Sequence, residues 1–164
     1  MEIAQTLALI AATVTTGLVS GLFYGFAISV MPALRGAGDR TFIDVMQRVN
    51  VAILNGWFLL GYIGALVFTG LAVGLQFGGG DRDAVAPTVA ALVCYIASMG
   101  VTGRLNIPLN NALEAAGPVD VIARPEAVRA AFEGAWVRGN VLRTLLCVAA
   151  TGLLCWALAL NGGS

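Results

Sequence analysis

The 164-residue chain is 59% hydrophobic and only 11% charged, with a mean hydropathy of +0.87. Soluble globular domains are about one-quarter charged, so this composition excludes an ordinary soluble domain. The net charge is zero and histidine is absent. These two facts argue against a nucleic-acid partner and exclude a His-ligated haem, copper or di-iron centre built from this chain alone.

Four stretches are apolar enough to span a bilayer, which takes ~20 residues. They are residues 3–32, 50–76, 85–106 and 140–160. We therefore predict one all-α domain over residues 1–164, an integral membrane four-helix bundle with short interfacial helices in its first and third connections. The first stretch follows Glu2 and has no basic region before it, so we expect a retained span, not a signal peptide. The three cysteines form no CxxC pair, so neither a zinc site nor a disulfide framework is predicted.

Arginines are concentrated in two of the three connections. The first carries Arg35, Arg40 and Arg48, the third carries Arg104, Arg124, Arg129 and Arg138, and the second carries only Arg82. The positive-inside rule places the first and third connections in the cytoplasm and both termini outside. We expect a protein of a bacterial inner membrane, with the lipid bilayer as its first partner.

Helix one contains Gly17, Gly21 and Gly25, a ridge of small residues spaced by four. Such a ridge lets another backbone approach closely. Packing within the bundle is the favoured interpretation, and a homo-oligomer through the same ridge is the alternative. Tyr24 lies beside the ridge, and its phenol needs a partner or a cavity if it is buried. Pro32 predicts that this helix ends just before it.

Residues 41–55 have the pattern of a helix that runs directly into the second span. Asp44 and Arg48 form an i,i+4 pair, which we expect on the surface. Gln47 and Asn50 lie one turn apart on another side of the same helix.

The third span carries polar side chains at helical spacing, ending in Asn106 and Asn110. Pro108 lies inside this pattern and predicts a kink or a break. In the third connection, Pro125 suits the first turn of a helix. That helix, residues 126–138, is predicted to lie along the membrane before the fourth span begins.

The fourth span opens with Trp136, Asn140, Arg143 and Cys147, whose spacings of four, three and four place them on one face. Arg143 could snorkel to the interface, as arginines near helix ends do. Snorkelling does not explain the tryptophan and the asparagine on the same face. Because ionisable groups inside a membrane usually mark a site, we favour a functional site here.

Antiparallel packing brings three helix ends to one mouth of the bundle. The side chains expected to converge there are Gln47, Asn50, Arg104, Asn106, Asn110, Trp136, Asn140 and Arg143, with Tyr24 below them. Guanidinium and amide donors can stabilise an enolate or phenolate oxygen, and aromatic faces suit a ring system. A lipid headgroup or a quinone would suit the same groups. The sequence contains no inverted repeat of the kind found in many transporters, so a transporter is not favoured.

Four elements together resemble the anthrone-oxygenase-like family of small membrane proteins. They are residues 21–26 (GLFYGF) with Pro32, residues 42–50 (FIDVMQRVN), residues 106–110 (NIPLN) and the Trp136, Asn140, Arg143-Thr144 face. The resemblance covers nearly the whole chain. Fungal members of that family oxidise polyketide anthrones to anthraquinones with molecular oxygen and without a cofactor.

The resemblance implies an oxygenase that acts on an anthrone-type or other aromatic, quinoid substrate, with no cofactor and no metal. Arg104, Arg143 and Asn140 would then be catalytic. The residues implied to bind substrate are Tyr24, Gln47, Asn50, Asn106, Asn110 and Trp136. The competing hypothesis is a membrane protein without catalysis that binds a lipid headgroup or a quinone-like ligand.

Overall fold

The computed structural model describes residues 2–78 and 82–162, and in these ranges every regular element is helical. The elements are α1 (Glu2–Gly25), a π-turn (Phe26–Val30), α2 (Met31–Arg35), α3 (Asp39–Ala52), α4 (Gly56–Phe77), α5 (Val85–Val101), a second π-turn (Thr102–Asn106), α6 (Ile107–Ala115), a 3₁₀ turn (Val119–Val121) and α7 (Pro125–Asn161).

Four helical segments are long and apolar enough to cross a membrane. They are Glu2–Arg35, Gly56–Phe77, Val85–Ala115 and Pro125–Asn161. The predicted all-α fold with four membrane helices is confirmed, and the protein is an integral membrane protein.

The bundle core is built from small side chains. α1 packs against α4 and α7, and α5 packs against α7. Fully buried alanines such as Ala12, Ala65 and Ala150 let these helices approach closely. A Cβ added to Gly17 would lie 3.9 Å from the methyl group of Thr151, so this glycine packs inside the bundle. Gly21 and Gly25 would meet nothing within 4 Å, and a homo-oligomer through this ridge stays a prediction.

A second core lies at one end of the bundle, where α2, α3, α6 and the start of α7 meet. It contains Met31, Phe42, Ile43, Met46, Leu113, Ile122, Phe132 and Trp136. Arg129 donates to the backbone oxygens of Leu34, Arg35 and Ala37 and pairs with Asp39 and Glu133. The first and third connections are thereby docked onto one another. The predicted Asp44–Arg48 surface pair is also present, at 2.9 Å.

Pro32 and Pro108, which lie well inside the first and third spans, each follow a π-turn, and neither proline ends its helix. Met31 N–H donates to Phe26 O, and Ile107 N–H donates to Thr102 O, so both bonds span five residues. Pro32 and Pro108 come one residue later, in the first turn of α2 and α6. The predicted helix end before Pro32 is therefore wrong. The wider turn accommodates a residue that lacks an N–H, so the helix bends and continues.

Two further boundaries differ from the sequence prediction. α3 ends at Ala52 and does not run into the second span, which begins at Gly56 because Asn55 caps it by accepting from Phe58 N–H at 3.0 Å. Residues 126–138 do not form a separate helix before the fourth span. They form the first part of α7, a single 37-residue helix, with Pro125 in its first turn as predicted.

Candidate functional site

A cavity of about 240 Å³ lies between α1, the start of α4, the second π-turn and α7. We call it the arginine cavity. Its walls are mostly apolar and include Leu22, Phe23, Phe26, Phe58, Ile63 and Trp136. Its polar lining comes from Asn50, Tyr62, Thr102, Asn110 and Arg143. Ligand sites commonly combine apolar walls with a few convergent polar groups in this way.

Arg143 is the charged group of this cavity and is only 8% exposed. Its Nε and Nη2 donate to Asn140 Oδ1 at 3.2 and 3.0 Å. The guanidinium carbon lies 4.0 Å from the centre of the Phe23 ring and 5.3 Å from that of Trp136. None of the ion pairs in the described ranges involves Arg143. A buried cation without a carboxylate is unfavourable unless an anion joins it.

Asn140 fixes the position of this guanidinium. Its Nδ2 donates to Phe23 O at 3.0 Å, which ties α7 to α1. Its backbone oxygen accepts from the Thr144 hydroxyl at 2.7 Å. With both ends of its amide engaged, Asn140 holds Arg143 over Phe23 and leaves Nη1 of the guanidinium without a described protein partner.

A second set of amides holds Trp136. Its Nε1 donates to Asn110 Oδ1 at 2.8 Å, and its backbone oxygen accepts from Asn106 Nδ2 at 3.3 Å. Asn106 lies directly against Gly139, where an added Cβ would come within 2.8 Å of Asn106 Oδ1. Glycine at 139 is therefore needed for the π-turn of the third span to pack against α7.

Two amides leave buried polar atoms without partners. In the part of the chain that the structure describes, these atoms are Asn50 Nδ2 and Asn106 Oδ1, together with Thr16 Oγ1 in α1. Buried polar groups are nearly always hydrogen-bonded, so each exception needs an explanation. Asn50 lines the same cavity as Arg143, and its Nδ2 has no hydrogen-bond partner.

Tyr62 brings a phenol to the same cavity. It lines the cavity together with Thr102 and Arg143. Its ring stacks on Phe58, with centroids 5.3 Å apart, and its backbone oxygen accepts from Tyr95 at 2.7 Å. The sequence analysis did not assign Tyr62 to the site. A phenol within an apolar span was the available signal, because a buried tyrosine hydroxyl usually has a polar partner.

Six of the nine predicted site residues meet here. Asn50, Asn110, Trp136 and Arg143 line the cavity. Asn106 and Asn140 lie behind this lining, where they support Trp136 and Arg143.

The other three predicted residues are elsewhere, so their expected convergence on this mouth is wrong. Tyr24 is 52% exposed because the neighbouring Phe23 faces the bundle. Arg104 is exposed because it precedes the buried Asn106 by two residues, roughly 200° around a helix. The amide nitrogen of Gln47 donates to the backbone oxygens of Leu113 and Gly117, both at 3.0 Å. Gln47 therefore joins α3 to the end of α6.

The lining of the arginine cavity combines a guanidinium and amide groups with mostly apolar walls. In such surroundings a hydrogen bond to an anion is stronger than in water. In the described residues, no group of three or more His, Cys, Asp or Glu side chains could hold a metal ion. The polar lining of the cavity therefore consists of one guanidinium, two amides and two hydroxyls.

A family comparison matches this part of the chain. The model of the anthrone oxygenase family covers residues 57–153, more than half of the sequence. The chain belongs to the anthrone oxygenase family. The matched range contains Tyr62, Asn110 and Arg143, whereas Asn50 precedes it. No curated protein and no solved structure matches the chain. Family membership indicates an oxygenase-like role, and the four apolar helices fit a position in the membrane.

Proposed function

We propose that this member of the anthrone oxygenase family oxidises an anthrone-type aromatic ketone with molecular oxygen, without a cofactor, inside the arginine cavity. One observation carries the proposal: Arg143 is buried and unpaired in an apolar cavity that also holds the unsatisfied donor of Asn50. An enolate oxygen supplies the missing negative charge and the missing acceptor together.

The first step is loss of a proton from the CH₂ carbon of the anthrone, which leaves an enolate. Arg143 and Asn50 stabilise the enolate oxygen more strongly than the neutral carbonyl, and this difference lowers the barrier. In this proposal Tyr62, a phenol in the lining of the same cavity, relays the proton. Water or a phenol of the substrate accepts it. Phe23 and Trp136 flank the guanidinium and supply apolar faces for the ring system.

The enolate is then oxidised by molecular oxygen. A carbon–oxygen bond forms at the former CH₂ carbon and gives a hydroperoxide, after the terminal oxygen takes up one proton. Loss of the remaining proton from that carbon breaks the oxygen–oxygen bond, expels hydroxide and forms the second carbonyl. The balance is one anthrone and one dioxygen to one anthraquinone and one water, so the substrate supplies all the electrons.

The alternative of a lipid headgroup fits this cavity less well. A phosphate headgroup needs several donors and room for water, whereas the lining here is mostly apolar and aromatic. A planar ring system with one or two polar oxygens matches both the aromatic walls and the few donors.

The test is oxygen uptake by the purified, metal-free protein in nanodiscs supplied with emodin anthrone. We expect uptake above spontaneous autoxidation, with one quinone formed per dioxygen consumed. The variant Arg143→Gln should lose about a hundredfold or more in turnover, because it removes both the charge and a preorganised donor. Arg138→Gln, an exposed arginine of the same helix, is the matched control and should keep wild-type activity.

Two results would contradict the proposal. Oxygen uptake no faster than autoxidation would mean that the cavity binds its ligand without oxidising it. Full activity in Arg143→Gln would remove the guanidinium from the mechanism, provided that the variant still folds and inserts.

A further inference from the structure

A second, larger space opens beside the arginine cavity. It is a groove of about 470 Å³ between α1, the end of α3 and the start of α4. Five residues line both spaces, namely Leu22, Phe26, Val49, Ile53 and Phe58. A wall of single side chains therefore separates the groove from the cavity that holds Arg143.

The far side of the groove lies on the outside of the bundle. Leu18 is 66% exposed and Trp57 is 85% exposed, and both line it. Gly61 forms part of its floor, five residues into α4, or about 7.5 Å along the helix axis. The start of a membrane helix, with an exposed tryptophan, is typical of the interface, so the deeper part of the groove faces lipid chains.

The volume of the arginine cavity indicates a role for the groove. The arginine cavity, at about 240 Å³, exceeds the roughly 150 Å³ that holds benzene but is smaller than the ~300–1,000 Å³ of most ligand sites. The groove and the arginine cavity together have a volume inside the range of most ligand sites. The polar groups are at the inner end, and the groove is almost entirely apolar.

We propose that this groove is a lateral portal and the apolar half of the binding site. Through it an apolar molecule with one acidic oxygen, a phenol or an enolisable aryl ketone, passes from the bilayer to Arg143. The ligand enters between Leu18 and Gly61 and displaces Phe58 or Phe26. Its acidic oxygen reaches Arg143 and Asn50 while its apolar part stays in the groove. The identity of the ligand as a substrate rests on the proposed function, whereas the route does not.

The decisive variant is Gly61→Leu. A Cβ at Gly61 would meet nothing within 4 Å, so the added side chain fills the groove without displacing the fold. Gly74→Leu is the matched control: it makes the same change in the same helix, also with nothing within 4 Å, and Gly74 lines neither space. With emodin anthrone in nanodiscs, Gly61→Leu should lower kcat/KM at least about tenfold. Gly74→Leu should leave kcat/KM unchanged.

A binding assay keeps the test independent of turnover. A protein that retains only Trp136, with Trp57→Phe and Trp156→Phe at two exposed positions, reports on the cavity by fluorescence. A bromophenol bearing a nonyl chain, supplied in the bilayer, should quench Trp136. Gly61→Leu should slow that quenching at least about tenfold, and Gly74→Leu should not.

The outcomes separate the two proposals. Quenching that depends on Gly61, without oxygen uptake, would support the portal and contradict the oxygenase. Equal quenching rates in Gly61→Leu and Gly74→Leu would overturn the portal while leaving the oxygenase intact. Absence of quenching in the parent protein would also overturn it, because no apolar phenol would then reach the cavity.

Discussion

Two groups of buried polar side chains lie at opposite ends of the same bundle, and they differ in whether their hydrogen bonds are complete. The first, the terminal cluster, consists of Gln5, Thr6, Gln76 and Asn161. Gln76 Nε2 donates to Asn161 Oδ1 at 3.1 Å, Asn161 Nδ2 donates to Thr6 Oγ1 at 2.9 Å, and Gln5 Nε2 donates to Leu75 O at 3.0 Å. No charged side chain takes part in these bonds. The cluster joins α1, α4 and α7.

The arginine cavity has the opposite character. It holds a cation that has no carboxylate partner among the described residues, together with the unsatisfied Nδ2 of Asn50. Both regions contain amides in apolar helices, so polarity within a span does not by itself identify a site. The distinction lies in how the hydrogen-bonding groups are used. The amide nitrogens of the terminal cluster donate within the protein, whereas Asn50 Nδ2 in the arginine cavity has no partner.

The largest effect should come from adding a negative charge to the lining of the arginine cavity. Asn50→Asp replaces a free donor with a carboxylate in the same cavity as Arg143, so the protein itself supplies the anion. We expect kcat/KM for emodin anthrone to fall about a hundredfold, since an enolate must then form beside a negative charge. Asn111→Asp, the same change at an exposed position of α6, is the control for oxygen uptake. Equal activity in the two variants would contradict the comparison.

The next largest effect should come from the close contact between Gly139 and the Asn106 side chain. Gly139→Ala puts a methyl group 2.8 Å from Asn106 Oδ1, and the displaced side chain must release Trp136. We expect a loss of about 1–3 kcal/mol in the free energy of unfolding in mixed micelles. Gly134→Ala, at an exposed position of α7, should instead gain up to about 1 kcal/mol. If the two variants have the same free energy of unfolding, the close contact at Gly139 does not contribute to stability.

A smaller effect is expected in the terminal cluster. Gln76→Leu removes one side-chain hydrogen bond and leaves Asn161 Oδ1 without that donor. Hydrogen bonds inside membranes average about 0.6 kcal/mol, so the free energy of unfolding should fall by roughly 0.5–1.5 kcal/mol. Oxygen uptake by the folded variant should equal that of the wild type. A lost activity would show that the two polar regions are coupled through the bundle.

The smallest effect should come from Arg104→Ala. This arginine looked like a partner of Arg143 in the sequence, but it lies on the outer side of the second π-turn. We expect kcat/KM to stay within about twofold of the wild type. A loss comparable to that of Arg143→Gln would mean that Arg104 swings into the cavity when substrate binds.

The fold was largely predictable because hydrophobic length fixes the number of membrane helices. The four spans, the helical start at Pro125 and the surface Asp44–Arg48 pair all followed from local pattern. Boundaries were less predictable. α3 ends at Ala52, shortly before Asn55 caps α4, and α7 is one continuous helix that packs against α3 and α6.

The site was predictable where one helix face carries several groups, as in Trp136, Asn140 and Arg143. It was less predictable where the relation runs between helices. Tyr62 and Gly139 acquire their roles from neighbours on other spans, and no spacing within their own helices reveals them. The one signal for Gly139 in the sequence was an isolated glycine inside a helical pattern.

The second π-turn also determines which residues of the third span face α7. A π-turn is an α-helix that carries one additional residue, and the wider turn absorbs that residue locally. Were the same residues wound as a regular α-helix, everything from Asn106 onward would lie about 100° further around the axis relative to α5, and Asn110 would point away from Trp136. Across the anthrone oxygenase family, we therefore expect a member with one residue fewer in this turn to have a regular α-helix there and to keep its counterpart of Asn110 against that of Trp136.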